Sequence, residues 1–268
     1  MNIFINERAT SISSNTTLHQ LLRENKPDAD LLIVNGFPQK EDIVLQEGDR
    51  VIFITRGEQP TAEELEALMM SRHTPGVHEK IRQSSVGIAG AGGLGSNIAV
   101  ALARIGVGHL TIVDFDLVEP SNLNRQQYFI DQIGLSKVAA LRDNLKRINP
   151  LVNVTAINKK VTSDNIVEFF SDLDVMTEAF DAATEKTMLI SGFLSIFPDT
   201  PLVAASGLAG YGPSNTIITE HVAQNLYIVG DGCSAAKPGQ GLMAPRVGIA
   251  AHHQANAVLR LLLGEKPG

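Results

Sequence analysis

Residues 90–95, Gly90-Ala91-Gly92-Gly93-Leu94-Gly95, follow directly on a continuous apolar run at 86–89 and open a small-residue helical segment at 95–105. In that setting the G-x-G-x-x-G string constrains the fold more than any other feature of the chain. The first glycine permits a tight turn after a strand, the second lets backbone approach a phosphate, and the third lets a helix pack on the strand. The helix N-terminus presents free N–H groups and a partial positive charge to an anion. Asp114 closes the next apolar run, 19 residues after Gly95, where a carboxylate can hold ribose hydroxyls. By itself the pattern indicates a nucleotide with a ribose, and NAD and ATP fit it about equally.

The surrounding pattern extends this. Apolar strand runs at 86–89, 110–113, 152–157, 174–179, 202–205 and 216–219 alternate with helical stretches at 95–105, 135–149, 164–170 and 247–263, the last ending at Gly264. Strands alternating with helices predict an α/β fold with a mostly parallel sheet covered on both faces, from residue 81 to 268. Residues 1–57 read differently. Strands at 2–6 and around Ile12, a helix capped by Thr16 or Thr17 with Leu18, Leu21 and Leu22 on one face, and strands at 31–35 and 50–55 give the order of a small β-grasp, ubiquitin-like domain. Residues 58–80 read as a connector, with a Thr61/Glu64 capping box, a face of Leu65, Leu68 and Met69, and a break at Thr74-Pro75-Gly76.

Bulk properties narrow the function. A net charge of −7 argues against a general nucleic-acid binder, which needs clustered Lys and Arg. One cysteine, Cys233, allows no intrachain disulfide and no cysteine zinc cage. The N-terminus lacks a signal-peptide pattern, and no apolar run reaches the roughly 18 residues of a membrane span. A cytoplasmic location without membrane contact is the expectation.

The segment Asp114-Phe115-Asp116-Leu117-Val118-Glu119-Pro120-Ser121-Asn122-Leu123-Asn124-Arg125-Gln126-Gln127 tips the choice toward ATP. Asn122, Arg125 and Gln126 follow the ribose acid, and Lys137 opens a helix. A guanidinium and an ammonium near a triphosphate neutralise charge that builds at the α-phosphate and hold the leaving pyrophosphate. An NAD-dependent oxidoreductase would leave these groups without assigned work.

GAGGLGSN, then VDFDLVEPSNLNRQ, then a lysine opening a helix resembles the E1-like superfamily of ThiF, MoeB and HesA proteins and the adenylation domains of ubiquitin-activating enzymes. The resemblance covers roughly residues 81–264. It implies a Rossmann-like adenylation domain that binds ATP through Gly90, Gly92, Gly93 and Gly95. It assigns Asp114 to the ribose, and Asn122, Arg125 and Lys137 to the phosphates, with Gln126 of the same loop counted among the cofactor-binding residues. It also implies an aspartate after a later strand that handles Mg²⁺; Asp181 matches, although Ala182 stands where relatives commonly carry Asn. The implied reaction is adenylation of a carrier protein's C-terminal carboxylate, with Arg125, Lys137 and Asp181 as the catalytic set. Many relatives carry four zinc cysteines near 230–241, which this chain lacks, so no structural zinc is expected.

Residues 1–57 resemble the ThiS sulfur carrier, which points to a ThiS-like partner and thiamine synthesis. A working carrier ends in a free Gly-Gly, whereas here the chain runs on through Arg56-Gly57-Glu58. This copy reads as a degenerate carrier kept for docking, dimer contact or regulation, and a non-catalytic ATP- or carrier-binding regulator is the alternative to an enzyme. Activation of a small molecule or a tRNA base also stays open. The resemblance suggests a homodimer, with Arg72 reaching the partner's ATP site. Cys233 lies in a glycine-rich loop; it either takes over the activated carrier, with its thiolate favoured by Lys237, or is inert. The lack of a neighbouring His or second Cys favours the inert reading. His252 and His253 do not share a helix face and read as packing and surface residues.

Overall fold

A computed structural model describes residues 1–6, 8–58, 61–70, 73–74 and 76–267, without the side chains of Glu63, Ala67, Leu68 and Met70. Arg72 lies outside the described residues. The chain divides into two compact units, Met1–His78 and Glu79–Gly268.

In the first unit β1 (Asn2–Ile5), β2 (Arg8–Ser11), α1 (Leu18–Asn25), β3 (Leu31–Val34), β4 (Phe37–Gln39) and β5 (Arg50–Ile54) form a five-stranded sheet with a helix. The strand order is β2-β1-β5-β3-β4. The central β1–β5 pair is parallel and the other pairs are antiparallel, the arrangement of a β-grasp. Alternate residues Ile3, Leu32, Val34, Val51 and Phe53 point at Leu18 and Leu21 of α1 to make the core. Thr17 caps α1 by accepting from the Gln20 amide at 3.2 Å. The second strand ends at Ser11, so Ile12 lies just beyond it, where its side chain packs on the core. The short strand β4 follows the Asn35-Gly36 turn, in which both residues have positive φ (51° and 84°).

Helix α2 (Ala62–Met70) begins at the expected capping box: Glu64 N donates to Thr61 Oγ1 at 3.2 Å and Thr61 N donates to Glu64 Oε2 at 3.0 Å. A further helix, α3 (Val77–Arg82), follows the break, inside the stretch expected as a connector; its six residues carry too little periodicity to mark it in the sequence.

The second unit is a seven-stranded sheet built from β6 (Ser85–Ala89), α4 (Gly93–Arg104), β7 (His109–Val113), α5 (Lys137–Ile148), β8 (Asn153–Ile157), α6 (Ile166–Phe170), β9 (Val175–Glu178), α7 (Ala183–Ile196), β10 (Leu202–Ala205), β11 (Ile218–Ala223), β12 (Leu226–Gly230) and α8 (Ala244–Leu262). Its order is β11-β12-β10-β9-β6-β7-β8, parallel except for the edge strand β11. The strand expected at 216–219 is corrected: Ser214–Thr216 is a single 3-10 turn and β11 begins at Ile218. β12, which lies beside β10, went unread because Asn225 at φ 57° turns the chain within two residues. The chain leaves β6 toward β7 and β8 on one side and returns to β9 on the other. That reversal is a switch point, and it opens a crevice at the carboxyl ends of β6 and β9. Among the described residues no helix is long and apolar enough to cross a membrane.

Candidate functional site

The glycine loop lies at this crevice. Gly90 leaves β6 at φ 99°, and a Cβ there would sit 2.7 Å from the Ala179 carbonyl oxygen. A Cβ on Gly95 would collide with the Gly90 carbonyl oxygen, so α4 packs against the strand end only with glycine at that position. Gly92 differs: a Cβ there meets only Gln126 Nε2, at 3.9 Å. The loop thus leaves room on its ligand side at the second glycine. Gly92 is the N-cap of α4 with no side-chain cap, so the first amides of a 12-residue helix face that space without a side-chain acceptor. Gly93 is packed by Val247 Cγ1 at 3.1 Å and by the Arg125 stem at 3.5 Å from a Cβ position.

Asp114 follows β7 and braces the loop. Its Oδ2 accepts from the Ala91 amide at 2.6 Å, and its Oδ1 accepts from the Asp116 amide at 2.8 Å. Burial pushes the Asp114 carboxyl above the usual aspartate range, partly opposed by these hydrogen bonds and by Lys137. Each oxygen keeps a second lone pair for a hydroxyl donor. At the next peptide of the loop, the buried Tyr128 hydroxyl donates to the Ala91 carbonyl at 2.7 Å. Burial raises the Tyr128 pKa, and Asp114 and Asp116 add to the effect, so the phenol stays a donor.

The crossover loop from 115 to 136 packs on the first turn of α4. Asn97 Nδ2 donates to Gly93 O at 2.7 Å and to Arg125 O at 3.2 Å, and Gln127 Nε2 donates to Asn97 Oδ1 at 2.7 Å. Arg125 therefore sits over the glycine loop. Its guanidinium donates to Ser121 O at 3.1 Å and Asn124 Oδ1 at 2.7 Å, while Arg125 Nε and Gln126 Oε1 are buried without a hydrogen-bond partner. Unsatisfied buried polar atoms beside an open glycine cradle suit a polar ligand. Asn122 is buried and caps the Pro120–Asn122 turn, its Oδ1 accepting from Glu119 N at 3.0 Å. Lys137 opens α5, but its buried ammonium pairs with Asp116 Oδ2 at 2.8 Å. The described contacts thus give Asn122 and Lys137 partners within the protein.

Asp181 is exposed, three residues beyond the end of β9 and before the uncapped start of α7 at Ala182. The glycine loop touches the same turn, since a Cβ on Gly90 would lie 3.3 Å from Phe180 Cδ1. Among the described residues no cluster of three or more His, Cys, Asp or Glu could hold a metal. A hard divalent cation at Asp181 would take its remaining oxygens from phosphates and water, which is how Mg²⁺ commonly binds. The donor set fits that ion and no preformed cage.

Residues 66–268 match the ThiF family, and residues 1–57 match the ThiS-like ubiquitin family. The chain belongs to the ThiF family. Over 201 residues it is 32% identical to the sulfur carrier protein ThiS adenylyltransferase of Bacillus subtilis, covering 72% of this chain and 58% of that protein. Over 192 residues it is 31% identical to the molybdopterin-synthase adenylyltransferase of Escherichia coli, covering 69% of this chain and 76% of that one. A crystal structure of the E. coli tRNA N6-threonylcarbamoyladenosine dehydratase TcdA with ATP shares the fold, with TM-score 0.69, 22% identity, and coverage of 76% of this chain and 96% of that one.

Other singled-out residues of this ThiF-family chain lie in their own settings. Cys233 is exposed, and its thiol lies 3.5 Å from Asp231 Oδ1. Asp231 also accepts from the Cys233 and Ser234 amides and the Ser234 hydroxyl, and pairs with the buried Arg246 at 2.6 Å. Burial opposes but the hydrogen bonds from Ser234 and Cys233 hold its carboxyl far below the usual range. The described partner of Cys233 is thus a carboxylate, not Lys237. His253 Nδ1 lies 3.3 Å from Thr219 Oγ1, and His252 Nδ1 2.8 Å from Gly248 O. Tyr128 had no motif to announce it. Asn122 could have been read as a cap from Glu119-Pro120-Ser121-Asn122, a proline-led turn with a side-chain acceptor at each end.

Proposed function

We propose that the chain is an ATP-dependent adenylyltransferase that activates the C-terminal carboxylate of a small ThiS-like sulfur carrier, in thiamine synthesis. The observation that carries this reading is the open face of the glycine loop at Gly92, set between the bare end of α4, Asp114 and Arg125. Asp114 accepts ribose hydroxyls. The α4 amides and Gln126 hold phosphate oxygens. Arg125 swings from Ser121 and Asn124 to the phosphates, and Lys137 exchanges Asp116 for the same charge. A carrier carboxylate oxygen attacks the α-phosphorus, the bond to the bridging oxygen breaks, and pyrophosphate leaves with its electron pair. The carboxylate is already the nucleophile, so no protein base and no covalent enzyme step is required; positioning and charge neutralisation supply the rate. Bound Mg²⁺ would add charge neutralisation beside Asp181. Gly90 and Gly95 shape the loop, and Gly93 and Asn122 support it from behind.

The ThiS-like family match of residues 1–57 supports the choice of carrier. That domain continues past Gly57, so the substrate is a separate carrier and the fused copy serves docking or assembly, within a cytoplasmic homodimer. Intact-mass measurement tests this: with ATP, a ThiS-type carrier ending in Gly-Gly gains one AMP, and a molybdopterin-type carrier gains less. No AMP adduct on any carrier, with ATP bound, would favour a non-catalytic regulator.

A further inference from the structure

Glu178 ends β9 with no exposed surface, yet it is a carboxylate in a parallel sheet. Both of its oxygens accept from Lys186 Nζ at 2.9 Å, and Oε1 also accepts from the Phe180 amide at 2.6 Å. Lys186 is the fourth residue of α7, and its own amide closes the first turn by donating to Ala182 O at 3.0 Å. The turn that carries Asp181 is therefore closed at both ends by one ion pair. From the sheet side, Gln254 of α8 donates to Glu178 O at 3.0 Å and Val203 O at 3.2 Å. α7 has no side-chain N-cap to fix its start, since Ala182 occupies that place. The ion pair does the fixing instead.

Stability does not demand charge here. A buried ion pair replaced by apolar groups of similar volume is often neutral or stabilising, whereas the pair does impose a fixed geometry. We propose that Glu178 and Lys186 are positioning residues that hold Asp181 toward the phosphate side of the crevice, and thereby set the affinity for a divalent cation bound with ATP. The proposal rests on the adenylation reading of the site.

The test is ATP binding by calorimetry on the full chain, titrated with Mg²⁺ and repeated in EDTA. Lys186→Met and the paired Glu178→Gln/Lys186→Met are compared with Lys186→Arg. The Mg²⁺ concentration that gives half-maximal enhancement of ATP binding should rise about 10–100-fold in the first two, the usual loss when a group behind a metal ligand is removed. ATP affinity in EDTA should be unchanged, and Lys186→Arg should restore most of the Mg²⁺ response. The paired variant leaves no buried unpaired charge, so it keeps the test readable if Lys186→Met fails to fold. A folded paired variant with the wild-type Mg²⁺ response overturns the proposal, as does an equal loss of affinity with and without Mg²⁺. Wild-type protein that binds ATP no better with Mg²⁺ overturns the positioning role but leaves adenylation standing. Wild-type protein that binds no ATP overturns both.

Discussion

The two rims of the crevice are held in different ways. The rim at β6 is shaped first by glycine backbone, with Gly90 at positive φ and Gly95 pressed on the Gly90 carbonyl, and two side chains, Asp114 and Tyr128, hold the Ala91 amide and carbonyl. The rim at β9 is tied to β6 by the Ala179 amide on Ala89 O, and beyond that it is a short turn, a helix without a side-chain cap and the ion pair between the buried Glu178 and the half-buried Lys186. A rim built from backbone geometry tolerates no Cβ in the wrong place. A rim built from side chains can be loosened without unfolding the domain.

That contrast is easiest to break at Gly95. Gly95→Ala drives a Cβ into the Gly90 carbonyl, and backbone must move. A loss at or above the usual overpacking cost of about 1–3 kcal/mol is expected in denaturant unfolding, with ATP binding lost alongside. If Gly95→Ala unfolds like the wild type, the backbone account of the first rim is wrong.

In the proposed reaction Arg125 meets phosphate charge as it builds, and Arg125→Ala removes that cation. Carrier-dependent turnover should fall about 100–1,000-fold, as for other groups that stabilise transition-state charge, with stability little changed. An equal fall in ATP affinity would instead make Arg125 a ground-state binder.

Asp114→Asn should weaken ATP binding by about 1.5–3 kcal/mol, the range for hydrogen bonds to a charged group. The Asp114 carboxyl is shifted upward by burial, so it takes up its proton at a higher pH than an ordinary aspartate. Acidification therefore removes the charged acceptor early, and wild-type ATP affinity should fall as pH drops toward the upper edge of the carboxylate range. The Asn variant should lack that fall. An identical pH profile for both would detach the effect from Asp114.

Gly92→Ala is the smallest effect on the protein itself. The new methyl enters open space at an ordinary φ of −80°, so stability should stay within about 1 kcal/mol of wild type, on either side. ATP affinity should drop, because the methyl stands where phosphate approaches. A stable variant that binds ATP normally would mean that the phosphates lie elsewhere.

How far these features were legible depends on how local they are. The glycine loop, Asp114 and the capping box of α2 could be read because each is specified within a few residues of chain. The β-grasp order and the parallel sheet followed from periodicity. β4, α3 and β12 were too short or too tightly turned for periodicity to register. Tyr128 gave no signal because its partner Ala91 lies 37 residues away, and Glu178 and Lys186 gave none because they meet 8 residues apart, across a strand end and a turn where no single periodicity runs. Lys137 shows the limit from the other side. Its place at the start of α5 was readable, but its pairing with Asp116, 21 residues back, was not.

ATP–pyrophosphate exchange, with and without a ThiS-type carrier ending in Gly-Gly, tests adenylation most directly. Exchange that needs the carrier and disappears in Arg125→Ala and Asp181→Ala is the predicted result. Bound ATP with no exchange, using a carrier shown to be active with another activating enzyme, would contradict it.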